Sequence, residues 1–143
     1  MPKINKTSLV NHSSKAMYAL VENIEGYPNF LPWCVGSSSM LKNDGSIVAT
    51  VNVLFKGIPF TFSTINLNEP TFKITMKLAD GPFKSMFGYW EFIEIDDSSC
   101  KVNFFLQYAF SNFIIEKATG FIFNELYQSL IDAFIKQADA NEK

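Results

Sequence analysis

SNFIIEKATGFIFNELYQSLIDAFIKQA, running from Ser111 to Ala138, holds one interior Gly and no Pro. Its apolar residues recur at helical spacing. Ile115, Ala118, Ile122, Leu126, Leu130 and Ala133 fall on one stripe, and Phe123, Tyr127, Ile131 and Phe134 widen it. Ser111 or Asn112 can cap the start by accepting a backbone N–H. One helix of this length spans roughly 40 Å at 1.5 Å per residue. An apolar surface so broad is wider than contact with a flat partner needs, so the helix requires a curved one.

The preceding residues supply it. Residues 46–56, 59–68, 71–79, 84–95 and 100–110 read as strands, with 36–42 a weaker sixth. The breaks are short: Asn43-Asp-Gly45, Gly57 to Pro59, Glu69-Pro70, Asp80-Gly-Pro82 and Asp96 to Ser99. Such breaks suit hairpins and an antiparallel sheet. Period two sets the inward faces. Phe72, Ile74, Met76 and Leu78 oppose Lys73, Thr75 and Lys77. Val102, Phe104, Leu106, Tyr108 and Phe110 oppose Lys101, Asn103 and Gln107. Gly88, beside Trp90, either accommodates the indole in a closed core or leaves space in a hollow one.

Residues 3–10 alternate weakly, as an edge strand does. Ser13 or Ser14 can cap a short helix whose face carries Met17, Leu20, Val21 and Ile24, with Gly26 ending it. Pro28 and Pro32 leave at most one helical turn in the segment YPNFLPWC. The expected architecture is α+β: one strand, two helical pieces, six strands and a long final helix. The seven strands form a bent antiparallel sheet around that helix.

At 143 residues the chain reads as a single domain, residues 1–143, able to bury a full core. Fifteen Phe, five Tyr and two Trp suit either a ring-heavy core or an apolar pocket. Net charge is −2, and all twelve basic residues are Lys. The missing Arg, with mild acidity and no Lys cluster in sequence, argues against a dedicated nucleic-acid module, and no DNA partner is expected. Cys34 and Cys100 are far apart, without a CxxC, and read as buried free thiols. No apolar run reaches the roughly 18 residues of a membrane span, and MPKINKTSLV lacks a signal-peptide core. The expected location is the cytoplasm.

The runs VNHSSKAMYALVENIEGYPNFLPWC, DGPFKSMFGYWEF, SCKVNFFLQYAFSN and ATGFIFNELYQSLIDAF resemble the START-like (SRPBCC, polyketide cyclase/dehydrase) family. That family includes the bacterial ribosome-association toxins (RatA) and the mitochondrial coenzyme Q-binding proteins. The resemblance implies a helix-grip (START/Bet v 1-like) fold, with space between sheet and C-terminal helix for a lipid or isoprenoid quinone. It transfers no chemistry from the cyclase label.

Catalysis needs proton-exchanging or bond-forming groups placed together. The single His, His12, lies in a turn-like, capping context. Glu91 and Glu94, three apart in one strand, face opposite ways. Asp96-Asp97 and Asp80-Gly81 are turn signatures, and Glu116 and Glu125 stand more than two helical turns apart. No metal-ligand spacing appears. The chain is therefore read as a non-enzyme, with a polyketide cyclase or aromatase as the third reading.

Binding remains. The first reading is a hydrophobic small molecule, ubiquinone or a related isoprenoid or lipid, held between sheet and helix in support of respiration, with no cofactor required. Wall candidates are Trp33, Phe62, Phe72, Met76, Trp90, Phe104, Leu106 and Tyr108, with Leu126 and Leu130 from the helix. For each of them the bland reading is core packing. Tyr108 offers a hydroxyl to a quinone carbonyl, and loops 56–59 and 80–84 are the expected gate. A quinone carrier needs transient membrane contact, for which Phe83 and Phe87 are candidates. The second reading, implied by the resemblance, is binding to the large (50S) ribosomal subunit that blocks subunit joining. Lys73, Lys77, Lys84 and Lys101 would form its basic face.

Overall fold

The computed structural model describes residues 3–141. The elements in order are β1 (Lys3–Val10), α1 (Ser14–Glu22), a 3-10 helix (Ile24–Asn29), β2 (Cys34–Leu41), β3 (Ile47–Phe55), β4 (Ile58–Glu69), β5 (Lys73–Asp80), β6 (Phe83–Asp96), β7 (Ser99–Phe110), α2 (Phe113–Gln128) and α3 (Leu130–Asn141). The seven strands form one antiparallel sheet in the order β1-β7-β6-β5-β4-β3-β2. Every sequential pair from β2 to β7 is a hairpin, and β1 closes onto β7, as the strand spacing predicts. The β3–β4 turn has two residues, Lys56 and Gly57, both with positive φ.

Four readings need correction. The final helix is bent, not continuous: α2 ends at Gln128 and α3 begins at Leu130. At Ser129 the hydroxyl donates back to the Leu126 carbonyl at 3.0 Å, competing with the backbone ladder and bending the helix. The apolar stripe starts late. Ala118 is exposed, and burial begins at Ile122 and runs through Phe123, Leu126, Leu130, Ile131, Phe134 and Ala138. Phe72 is not an inward strand residue; Thr71 adopts a positive φ, the pair sits in the β4–β5 turn, and Phe72 is 49% exposed. Finally, α1 stops at Glu22, before Gly26. There Tyr27 donates its hydroxyl to the Val21 carbonyl, and Ser37 donates to the Ile24 carbonyl at 2.7 Å. These bonds draw the chain out of the α-helical path into the 3-10 helix.

The caps behave as the sequence implies. Ser13 accepts from Ala16 N at 3.0 Å and Asn112 from Ile115 N at 2.9 Å. His12 joins Asp139 of α3 at 2.6 Å, tying the start of α1 to the last helix. Lys6 of β1 donates to the Gln128 carbonyl, placing a cation at the C-terminal end of α2, where the helix dipole favours it. Among the described residues no helix is long and apolar enough to cross a membrane.

Candidate ligand cavity

Two ring clusters fill most of the space between sheet and helices. Phe123 of α2 lies 4.8 Å from the rings of Phe83 and Tyr108 and 4.6 Å from Tyr127. Toward the other end, Trp90 packs 4.5 Å from Phe104 and 5.4 Å from Phe134. Phe104 in turn stacks on Tyr127 at 5.6 Å with an interplanar angle of 1°. Gly88 sits within this packing because a Cβ there would come 2.5 Å from the Phe105 carbonyl and 2.8 Å from Leu106 Cδ1. Its missing side chain admits the neighbouring strand and leaves no hollow.

Between the clusters a small interior cavity remains, about 60 Å³. β6 and β7 contribute Met86, Trp90 and Leu106, β5 contributes Ile74 and Met76, and the bent helix contributes Tyr127, Leu130 and Phe134. The far wall is Val21, Ile24, Tyr27, Leu31 and Trp33, with Ala49, Val51, Phe62, Thr64 and Asn66 from β3 and β4. Of the wall candidates read from sequence, Trp33, Phe62, Met76, Trp90, Leu106 and Leu130 border this space. Phe104 stands behind Trp90 and Tyr127, Tyr108 belongs to the Phe123 cluster, and Leu126 is buried in the core outside the cavity. Phe72 is on the surface. Tyr127, not Tyr108, is the tyrosine that borders the cavity beside Tyr27. Burial, then the nearby Tyr108, pushes the Tyr127 hydroxyl well above its ordinary pKa, so it stays a donor.

Sequence reasoning passed over the polar part of the wall. Inward positions on β4 run Phe60, Phe62, Thr64, Asn66, Asn68, so the apolar alternation breaks midway. Thr64 and Asn66 are 6% and 5% exposed, and Thr64 Oγ1 donates to Asn66 Oδ1 at 2.7 Å. That switch from ring to amide at period two was the available signal.

A wider groove of about 770 Å³ lies outside, lined by Phe30, Pro32, Trp33, Ser129 and α3 residues from Asp132 to Ala140. Trp33 is common to the groove and the inner cavity. Neither loop 56–59 nor loop 80–84, the expected gate, contributes a residue to the cavity wall. The cavity wall carries no Asp, Glu, Lys, His or Cys, and a group able to shuttle protons near neutrality is absent from it. Among the described residues no three His, Cys, Asp or Glu side chains are grouped to hold a metal ion.

The family model for polyketide cyclase/dehydrase and lipid transport matches residues 10–135. The chain belongs to that family. It is 41% identical over 138 residues to the ribosome association toxin RatA of Vibrio cholerae, covering 96% of each protein. It is 22% identical to a mitochondrial coenzyme Q-binding protein, COQ10 homolog B of Xenopus laevis, covering 94% of this chain and 57% of that one. Among solved structures, the Zhui aromatase/cyclase of Streptomyces sp. R1128 superposes with a TM-score of 0.84 at 12% identity, covering 99% and 96% of the two chains. The last likeness concerns the fold: a seven-stranded sheet gripping C-terminal helices.

Proposed function

We propose that this chain binds a hydrophobic small molecule between sheet and bent helix without transforming it, and that the ligand is an isoprenoid quinone of the ubiquinone type, in support of respiration. The carrying observation is the apolar cavity at the helix bend, with hydroxyl and amide groups on an otherwise hydrocarbon wall. The name of the coenzyme Q-binding relative points the same way. At about 60 Å³ the space is far below the roughly 300–1,000 Å³ of a small-molecule site. Binding therefore has to widen it. Tyr127, Leu130 and Phe134 straddle the Ser129 bend, so a change of bend angle is the shortest route to added volume.

A second reading, binding to the large ribosomal subunit, is favoured by the name of the 41% identical relative. Its physical support is thinner. The strand register puts Lys73, Lys77 and Lys101 on the outer sheet face, beside the stacked Tyr89 and Phe105 rings 5.4 Å apart. The same register sets Lys73 between Glu69 and Glu91, which dilutes the basic face.

Solvent extraction of the purified protein followed by mass spectrometry tests the first reading. Quinone or another apolar molecule should co-purify, and Ala49→Leu, which puts methyl groups into the gap, should remove it while the protein stays folded. Extracts free of apolar molecules from both proteins would refute it. Sucrose-gradient sedimentation after overexpression tests the second, since the ribosome reading requires co-migration with the large subunit and loss of joined ribosomes.

A further inference from the structure

The polar groups of the cavity are unevenly used. Asn66 is 5% exposed and lines the cavity, and its Oδ1 is occupied by the Thr64 hydroxyl. Its Nδ2 donates no hydrogen bond among the described residues. Two residues further along the same inward face of β4, the Oδ1 of Asn68 is buried without a partner. A buried amide that leaves one donor open is unfavourable unless something fills the position. The Thr64 bond also fixes which way the amide points, because a bonded Oδ1 turns Nδ2 away from Thr64. The apolar wall alone would accept any greasy molecule of suitable width. The fixed amide is what can tell one head group from another.

Charge narrows the choice further. The cavity wall has no cation to pair with a carboxylate or phosphate and no acid to pair with an ammonium group. An ionised head buried there would lose its hydration with nothing in return.

From these observations we infer that Asn66, oriented by Thr64, is the specificity-determining residue of the cavity, and that it selects an uncharged ligand carrying a carbonyl or hydroxyl oxygen on an apolar body. The open Nδ2 donates to that oxygen. Fatty acids and phospholipids fall outside this class. The inference rests on the cavity-binding reading above and specifies its ligand.

Isothermal titration calorimetry with three probes tests it: a short-tailed ubiquinone analogue, butylbenzene as an apolar body without a head, and decanoate as a charged one. Wild-type protein should bind the quinone at least about tenfold more tightly than decanoate. Asn66→Leu, which replaces the amide by an apolar group of similar shape, should weaken quinone binding about tenfold and leave butylbenzene within about twofold. Thr64→Val, which frees the amide to rotate, should give a smaller loss in the same direction. Unchanged quinone affinity in Asn66→Leu, an equal loss for butylbenzene, or decanoate binding as tightly as the quinone would each overturn the inference. Butylbenzene binding with Asn66 indifferent refutes only the assignment of Asn66. Failure of all three probes to bind the wild type refutes the cavity reading and this inference with it.

Discussion

Removing the Phe123 ring should cost this protein more than any other single truncation in α2. The side chain is completely buried and meets six rings: Tyr127 at 4.6 Å, Phe83 and Tyr108 at 4.8 Å, Phe62 at 5.9 Å, Phe110 at 6.0 Å and Phe60 at 6.2 Å. Of the sixteen residues in α2 only Ile122, Phe123 and Leu126 are buried, so the helix has few other anchors. A buried Phe→Ala change costs about 3–5 kcal/mol through lost transfer energy and the cavity left behind. Aromatic pairs add about 0.5–1.5 kcal/mol each beyond area, though not additively within one cluster. Phe123→Ala should therefore fall in the upper half of that range, about 4 kcal/mol, a large share of the roughly 5–15 kcal/mol of a domain. Urea unfolding followed by circular dichroism measures it, with Phe123→Leu as the milder member, at about 1–2 kcal/mol. A loss below about 1.5 kcal/mol for Phe123→Ala, at an unchanged denaturant slope, would refute the view that this ring holds α2 on the sheet.

Gly88→Ala should destabilise by about 1–3 kcal/mol, because the added methyl meets the Phe105 carbonyl at 2.5 Å, a backbone atom that cannot swing away; thermal denaturation checks it, and a neutral result would mean that β6 and β7 shift easily. Cys34 and Cys100 are free and buried, and burial raises both thiol pKa values. At pH 8 they should react with a thiol reagent far more slowly in the native protein than in denaturant, since the thiolate is the reactive form. Ser129→Ala removes the hydroxyl that bonds back to Leu126. It should straighten the join between α2 and α3 and change ligand affinity more than stability, which calorimetry and urea unfolding read separately.

The strands were legible because their apolar alternation is clean and their turns carry Gly, Pro, Asn and Asp at short intervals. Strand pairing follows once the connections are too short for anything but hairpins. The bend at Ser129 was not legible, since a serine in a helical pattern bends the chain only when its hydroxyl turns back to the preceding turn. Phe72 misled for a related reason. Period two continues through Phe72 in the sequence, but the positive φ at Thr71 takes the chain out of the strand first. For the site, residue type identified apolar walls at Trp33, Phe62, Met76, Trp90, Leu106 and Leu130. It did not separate them from Phe104, Tyr108 and Leu126, which are equally apolar and differ only in which neighbours fill the space beside them. A gap is a difference between packed shapes, and hydropathy does not encode it. Asn66 was readable, but only by taking a polar residue at an inward position as a signal in its own right.

The central claim is that the space between sheet and bent helix opens to admit an apolar molecule. Trp33 and Trp90 both line it, Trp33 also facing the outer groove while Trp90 is 4% exposed. A nuclear magnetic resonance titration with a short-tailed ubiquinone analogue reports on both through their indole N–H signals. If the ligand enters, both signals shift together and saturably. If only the Trp33 signal moves, or neither does, the molecule stays in the groove or does not bind, and the account of the interior as a ligand site is contradicted.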